Sequence, residues 1–234
     1  MTTRSAKTFP IVETFGPVLQ GEGRMIGTPT LFVRLGYCDY QCSWCDTLYA
    51  VLPEHVRASS TPMTATQIRD RLRELDATVP WVTLSGGNPV MHDLAELVAL
   101  LHAEGRKMAV ETQGTVFRDW VRECEVVTVS PKPPSSGMET NVIQLDRFAA
   151  LPNANLKVVI FDAADLAYAR HVHRRYRGVP CYLQVGNRVG TDDRDALLAK
   201  LDWLGHQALA DPALQDAIVL PQLHVLLYGN RRGV

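Results

Sequence analysis

The chain has almost no net charge and no long apolar run. Its 24 Lys and Arg stand against 25 Asp and Glu, a formal charge of −1, so no broad field points to nucleic acid or a membrane surface. No apolar segment approaches the roughly 20 residues a bilayer span needs. No helix with clustered Lys and Arg suggests DNA reading. Met1 to Thr8 has basic residues but no apolar stretch after them, so it does not read as a secretory leader and the cytoplasm is the expected compartment. Internal repeats and low-complexity tracts are absent. Cysteine is scarce: there are five, an odd number, so a disulfide framework is not expected. Cys124 and Cys181 stand alone in apolar surroundings and read as small buried side chains.

The other three cysteines share one short loop, Gly36-Tyr-Cys-Asp-Tyr-Gln-Cys-Ser-Trp-Cys-Asp-Thr47. Their spacing is Cys-x3-Cys-x2-Cys, and the loop holds no fourth cysteine. Structural zinc sites close with four Cys or His ligands, and electron-transfer clusters take four thiolates. Three thiolates on a [4Fe–4S] cube leave one iron without a protein ligand, where a small molecule can bind. Cys38, Cys42 and Cys45 therefore read as cluster ligands, against the plainer readings of zinc or ordinary thiols. Tyr40 and Trp44, interleaved among them, suit either a water-excluding shield or core packing.

Strand-like and helix-like stretches alternate along the chain, which suggests βα units around a largely parallel sheet. The predicted strands are Thr30–Leu35, Trp81–Leu84, Lys107–Glu111, Val126–Val129, Leu156–Phe161 and Cys181–Gln184. Helices are predicted over Thr66–Glu74 (with Thr64 or Thr66 as N-cap), Leu94–Glu104, Asp165–Arg174 and Asp193–Leu209, the last broken at Gly205. Pro53–Pro62 and Pro131–Gly137 read as loops. Five predicted strands end in polar loops, and ligands of parallel α/β folds bind where strand carboxyl ends converge. The simplest division is one domain over residues 1–234.

The cysteine loop followed by Gly86-Gly87-Asn88-Pro89 resembles the radical S-adenosylmethionine (SAM) superfamily. Leu19-Gln-Gly-Glu-Gly23, Arg34, Cys45-Asp-Thr47, Val110-Glu-Thr-Gln-Gly114, Ser130-Pro-Lys132, Gln222-Leu-His224 and Tyr228-Gly-Asn230 narrow the resemblance to the 7-carboxy-7-deazaguanine synthase family. It extends from about Glu13 to the end of the sequence. Asn88 departs from the superfamily pattern, where Glu is common. An amide is a weaker acceptor for the ammonium of SAM than a carboxylate, and backbone carbonyls of the Gly-Gly turn are an alternative.

The resemblance implies an α/β fold, an incomplete TIM-like (β/α)6 barrel reduced in helices. It implies a lyase that converts 6-carboxy-5,6,7,8-tetrahydropterin to 7-carboxy-7-deazaguanine with loss of ammonia, a ring contraction begun by a 5′-deoxyadenosyl radical. Its cofactors would be a [4Fe–4S] cluster, SAM and Mg²⁺, with flavodoxin or ferredoxin as electron donor and a homodimer as the assembly. The pathway would be that to queuosine and related deazapurines. No nucleic-acid or membrane partner is expected.

The same resemblance assigns residues. SAM would be held by Trp44, Cys45, Asp46, Gly87 and Glu111, by Ser130, Pro131 and Lys132, and by Gln184, Val185, Gly186 and Asn187. Thr47 would bind Mg²⁺; on its own it would read as a helix cap. Leu19, Gln20, Gly21 and Glu22 match the substrate segment, with Glu22 the candidate for proton transfer, and Ser85 would face the substrate. Arg34 interrupts an apolar strand, which is costly unless paired. A substrate carboxylate and an internal salt bridge both meet that need. Glu111 is a similar case: it would touch the SAM ribose or the substrate, or pair with a neighbouring side chain. His224 and Arg231-Arg-Gly-Val234 are expected at the mouth of the site. Two other functions share parts of the pattern: a radical SAM activase acting on a partner protein, and a non-enzymatic metal or cluster sensor.

Overall fold

A computed structural model describes residues 6–234; Met1–Ser5, part of the segment judged not to be a leader, lie outside the described residues. Among the described residues nine strands form one open sheet in the order β3-β1-β2-β4-β5-β6-β7-β8-β9. The strands are β1 (Thr8–Leu19), β2 (Pro29–Leu35), β3 (Thr61–Thr64), β4 (Trp81–Gly86), β5 (Lys107–Thr112), β6 (Val126–Val129), β7 (Ala154–Ile160), β8 (Cys181–Val185) and β9 (Ile218–Leu220). From β2 to β9 every pairing is parallel; β1 pairs antiparallel with both β2 and β3. The sheet ends at β3 and β9 and does not close, in keeping with an incomplete barrel.

The helices are α1 (Leu48–Val51), α2 (Pro53–Ser59), α3 (Ala65–Leu75), α4 (Ala95–Ala103), α5 (Val142–Ala149), α6 (Ala163–Arg175), α7 (Arg194–Ala210) and α8 (Leu223–Tyr228). Thr64 caps α3 reciprocally with Gln67, which satisfies two otherwise free N–H groups. The expected loop Pro53–Pro62 is instead α2 followed by the start of β3. Pro53 sits in the first turn of α2, where its missing N–H costs nothing. Nor does Gly205 break α7, which runs through it; a lone glycine weakens a helix without ending it. Pro131–Gly137 holds a short 3-10 turn, Pro134–Ser136. Among the described residues no helix is long and apolar enough to cross a membrane.

Side chains alternate across each strand, and here the alternation separates packing from chemistry. Leu31, Val33 and Leu35 of β2, Val82 and Leu84 of β4, Met108 and Val110 of β5, and Leu156, Val158 and Ile160 of β7 join one buried core. The intervening positions Phe32, Arg34, Ser85, Glu111, Lys157 and Val159 line a cavity on the other face. Met25, packed with Ala109, Val126 and Trp81, fills the opposite end of that face. Cys124 and Cys181 are 2% and 1% exposed, in the main core.

Candidate active site

The cavity has a volume of about 260 Å³, close to the roughly 300–1,000 Å³ range of small-molecule sites. It opens at the carboxyl ends of the parallel strands. Leu19, Gln20, Gly21 and Glu22 reach it from the end of β1, Arg34 from β2, and Trp44, Asp46 and Thr47 from the cysteine loop. Ser85, Gly87, Glu111, Ser130, Lys132 and Asn187 complete the set of expected residues that line it.

Its floor is a buried charge network. The Lys157 ammonium bonds the Glu22 carboxylate and lies 3.7 Å from Glu111 Oε1. Gln20 Nε2 and Ser85 Oγ donate to the two oxygens of Glu111, each at 3.2 Å. Gln222 Nε2 donates to Glu22 Oε1 at 2.7 Å. Burial alone would raise the Glu22 carboxyl. The charges of Lys157 and His224, with hydrogen bonds from Lys157 and Gln222, outweigh it and hold the group well below the usual carboxylate range. Burial likewise opposes the Lys157 ammonium, and the two carboxylates more than offset it. Glu22 is therefore an ionised acceptor at neutral pH.

Arg34 Nε donates to Glu13 Oε1 at 2.6 Å, across the β1–β2 pairing. Tyr49 Oη donates to the same oxygen at 3.0 Å, and the guanidinium lies over the rings of Phe15 and Tyr49. The internal salt bridge is present, and the guanidinium still lines the cavity. Lys132, by contrast, meets no carboxylate within 4 Å among the described residues. Its ammonium donates to Ser130 Oγ at 3.1 Å and lies 5.6 Å from the centre of the Trp44 ring.

The cysteine loop and the loop after β6 hold each other. Ser43 N–H donates to Ser136 O at 3.0 Å, Ser43 Oγ to Ser135 O at 2.6 Å, and Trp44 Nε1 to Ser135 Oγ at 3.0 Å. Trp44 packs on Phe161, and Tyr40 Oη bonds Glu139 O. Cys38, Cys42 and Cys45 are half-buried and free of disulfides. Among the described residues no three Cys, His, Asp or Glu side chains close on one point as a single ion requires. A [4Fe–4S] cube takes one thiolate per iron, so its cysteines need not meet at a single point. Burial pushes the Cys38 thiol up to about 11; Sγ accepts from Tyr40 N–H at 3.4 Å and Gln113 Nε2 at 3.3 Å, contacts that offset part of that rise. Thr47 precedes α1 but makes no capping bond; its hydroxyl lies 3.7 Å from Cys45 Sγ and faces the cavity.

Five expected SAM residues stand apart from the cavity wall: Cys45, in the cysteine loop, and four others. Val185 points to the opposite face of β8, into the core, as alternation along the strand requires. Gly186 lies under Phe161, whose ring a Cβ there would meet at 2.3 Å. Pro131 is buried. Gln184 accepts from Gly23 N–H at 3.2 Å, leaving its buried Nε2 without a partner. At the cavity itself, Asn187 Oδ1 and Gln222 Oε1 are buried and unpartnered. Buried polar atoms are seldom left so, and a polar ligand would satisfy them.

The C-terminal segment forms one wall. A Cβ at Gly21 would lie 2.0 Å from His224 Nδ1, so glycine there lets His224 pack against the main chain. Asn187 Nδ2 donates to Asn230 Oδ1 at 2.6 Å, and Arg232 stacks 3.6 Å from the centre of Tyr49. Arg231 to Val234 line the mouth.

The sequence reading missed Glu13, Tyr49, Phe161 and above all Lys157. A lone cation inside the apolar run Leu156–Phe161 is the same signal that drew attention to Arg34.

Comparison with known proteins places the chain among relatives of consistent name. It is 45% identical over 98% of its length, and 100% of the other chain, to 7-carboxy-7-deazaguanine synthase of Bacillus subtilis. It is 41% identical over 96% of its length, and 98% of the other, to the enzyme of that name from Bacillus cereus. No protein-family model matches. Among solved structures, QueE from Escherichia coli superposes with a TM-score of 0.70 at 24% identity, covering 93% of this chain and 95% of that one.

Proposed function

Because this chain belongs to the 7-carboxy-7-deazaguanine synthase family, we propose that it is a radical SAM lyase converting 6-carboxy-5,6,7,8-tetrahydropterin to 7-carboxy-7-deazaguanine with loss of ammonia. The observation that carries the reading is the convergence on one small cavity of Gln20 and Glu22, Arg34, Glu111 and the cysteine loop.

When bound, the [4Fe–4S] cluster and SAM supply the radical that takes a hydrogen atom from the pterin and starts ring contraction. The chain binds, orients and excludes water. Cys38, Cys42 and Cys45 would hold the cluster. Lys132, a half-buried cation without an acidic partner among the described residues, suits the carboxylate of SAM. Asn187 Oδ1 offers a free acceptor elsewhere on the cavity wall. Gln20 and ionised Glu22 present acceptors to the amino and ring N–H groups of a pterin. Arg34 keeps its guanidinium towards the cavity, where a substrate carboxylate can pair with it. Thr47, free of any capping bond, offers a hard oxygen for Mg²⁺. An external donor such as flavodoxin or ferredoxin, a homodimer and a cytoplasmic setting complete the reading.

The test is anaerobic incubation of the iron- and sulfide-loaded protein with 6-carboxytetrahydropterin, SAM and dithionite, with product followed by ultraviolet absorbance. Formation of 7-carboxy-7-deazaguanine supports the proposal. Cleavage of SAM with the pterin left intact would turn it towards an activase of a partner protein.

A further inference from the structure

The Gly86–Asn88 turn faces the cysteine loop more intimately than it faces the cavity. Gly87 N–H donates to Leu35 O at 3.0 Å and Asn88 N–H to Tyr37 O at 2.8 Å. A Cβ on Gly87 would stand 2.0 Å from Tyr37 O. Asn88 itself is 0% exposed, and both ends of its amide are engaged. Nδ2 donates to Asp39 Oδ1 at 2.9 Å and to Thr115 Oγ1 at 3.2 Å. Oδ1 accepts from Thr112 Oγ1 at 2.9 Å and Val90 N–H at 3.3 Å. Gln113 donates to the same oxygen of Asp39 and to Cys38 Sγ.

We propose that Asn88 is a positioning residue: it braces Asp39, and through Asp39 and Gln113 the Cys38 thiol, against the end of β5, and it does not contact the cofactor. The chemistry explains the departure from Glu at this position. Asp39 supplies a carboxylate that needs a donor opposite it, and Asn provides one. Glu would bring a second carboxylate to the first and remove both donations, leaving like charges in contact. A side chain with every polar atom committed inside the protein has none to offer an ammonium in the cavity. The inference rests on the radical SAM reading only for what the loop carries; the brace is a property of the chain.

The test is a reciprocal exchange. Asn88→Asp sets two carboxylates face to face, whereas Asp39→Asn with Asn88→Asp restores one donor and one acceptor in reversed order. In the full-length chain before cluster loading, alkylation of Cys38 is followed by peptide mass spectrometry. Asn88→Asp is expected to speed it on the order of tenfold, the scale of one lost buried hydrogen bond. The double variant is expected to return to within about twofold of the parent. Asp39→Ala, at an exposed position, should loosen Cys38 in the same direction even if the buried variant folds poorly; rates are compared per thiolate from pH profiles, because loss of the Asp39 charge alone frees the thiolate. After loading, Asn88→Asp should hold less iron and sulfide, with unchanged SAM affinity per cluster in the loaded fraction. Parental alkylation in both Asn88→Asp and Asp39→Ala would overturn the proposal, as would a double variant no better than the single. Tighter SAM binding in Asn88→Asp would also overturn it, by showing that position 88 faces the ammonium. If the parent chain assembles no cluster, the functional reading fails, and the alkylation arm still decides the brace.

Discussion

Lys157 sits between Glu22 and Glu111, bonded to the first and 3.7 Å from the second. One buried cation thus holds together two carboxylates delivered by the turn after β1 and by β5, segments far apart in the chain. Without it, the cavity floor would carry two uncompensated negative charges.

Lys157→Met should therefore destabilise the fold by about 3 kcal/mol, the usual cost of breaking a buried pair from one side. Glu22→Gln in the same chain should recover much of that loss, because it removes the stranded charge. Denaturant titration of the three proteins measures both steps. A Lys157→Met variant as stable as its parent would show that the network carries no net interaction.

Acid stability should depend on Glu22. Its folded carboxyl is held below the ordinary value of 4.5, so it favours the folded state above that pH. The contribution is lost as pH falls through the lowered value, because the unfolded chain then binds the proton more readily. Glu22→Gln should have a flatter stability profile below about pH 4.5 than the parent. Thermal melts across the acid range provide the comparison.

Two glycines should respond oppositely to alanine. Gly87→Ala drives a Cβ to 2.0 Å from the backbone of Tyr37, which neither rigid loop can relieve cheaply. A loss of 3 kcal/mol or more is expected, on the order of severe overpacking, together with poor iron incorporation. Gly205 lies inside α7 with nothing within 4 Å of an added Cβ. Gly205→Ala should stabilise by about 0.5–1 kcal/mol. Melting temperatures and iron analysis separate the two cases.

Arg34→Lys should keep the charge opposite Glu13 and lose the fork. An ammonium cannot serve Glu13 and a substrate carboxylate side by side as a guanidinium does. KM for the carboxylated pterin is expected to rise roughly tenfold, with a smaller change in kcat. Steady-state kinetics under anaerobic conditions would show whether binding or turnover absorbs the loss.

Cys42→Ala should end 5′-deoxyadenosine formation while leaving circular dichroism and melting close to the parent. Cys42 is only half-buried, so little packing is lost with its sulfur. Continued release of 5′-deoxyadenosine with dithionite would remove Cys42 from the cluster.

Six of the parallel strands were legible because each is a short apolar run closed by turn residues. β1 was not. Pro10 and Pro17 interrupt its pattern, and register shifts between Ile11 and Glu13 and between Phe15 and Val18 disturb its alternation. In β3, Pro62 faces Pro10, a pairing that removes donors on both sides and carries no strand signature. β9 is three residues long. At the site, the cysteine spacing and the Leu19–Gly23 segment stood out locally. The pairs Arg34–Glu13, Lys157–Glu22 and Asn88–Asp39 did not, because each joins residues that only the folded sheet brings together. The expected SAM residues Gln184 and Val185 illustrate the limit of carrying over a whole segment. Strand geometry sends neighbouring side chains to opposite sides, so at most one of such a pair can present its side chain to the cavity.

The two-residue rhythm of the strands has an evolutionary corollary. Deleting a single amino acid inside Ala154–Ile160 would send Lys157 into the oily layer and swing Leu156 or Val158 out among the reacting groups, spoiling solubility of the core and catalysis at one stroke. Length changes are therefore cheap in the connections outside the strands, while within a strand only one-for-one replacement keeps the two faces apart.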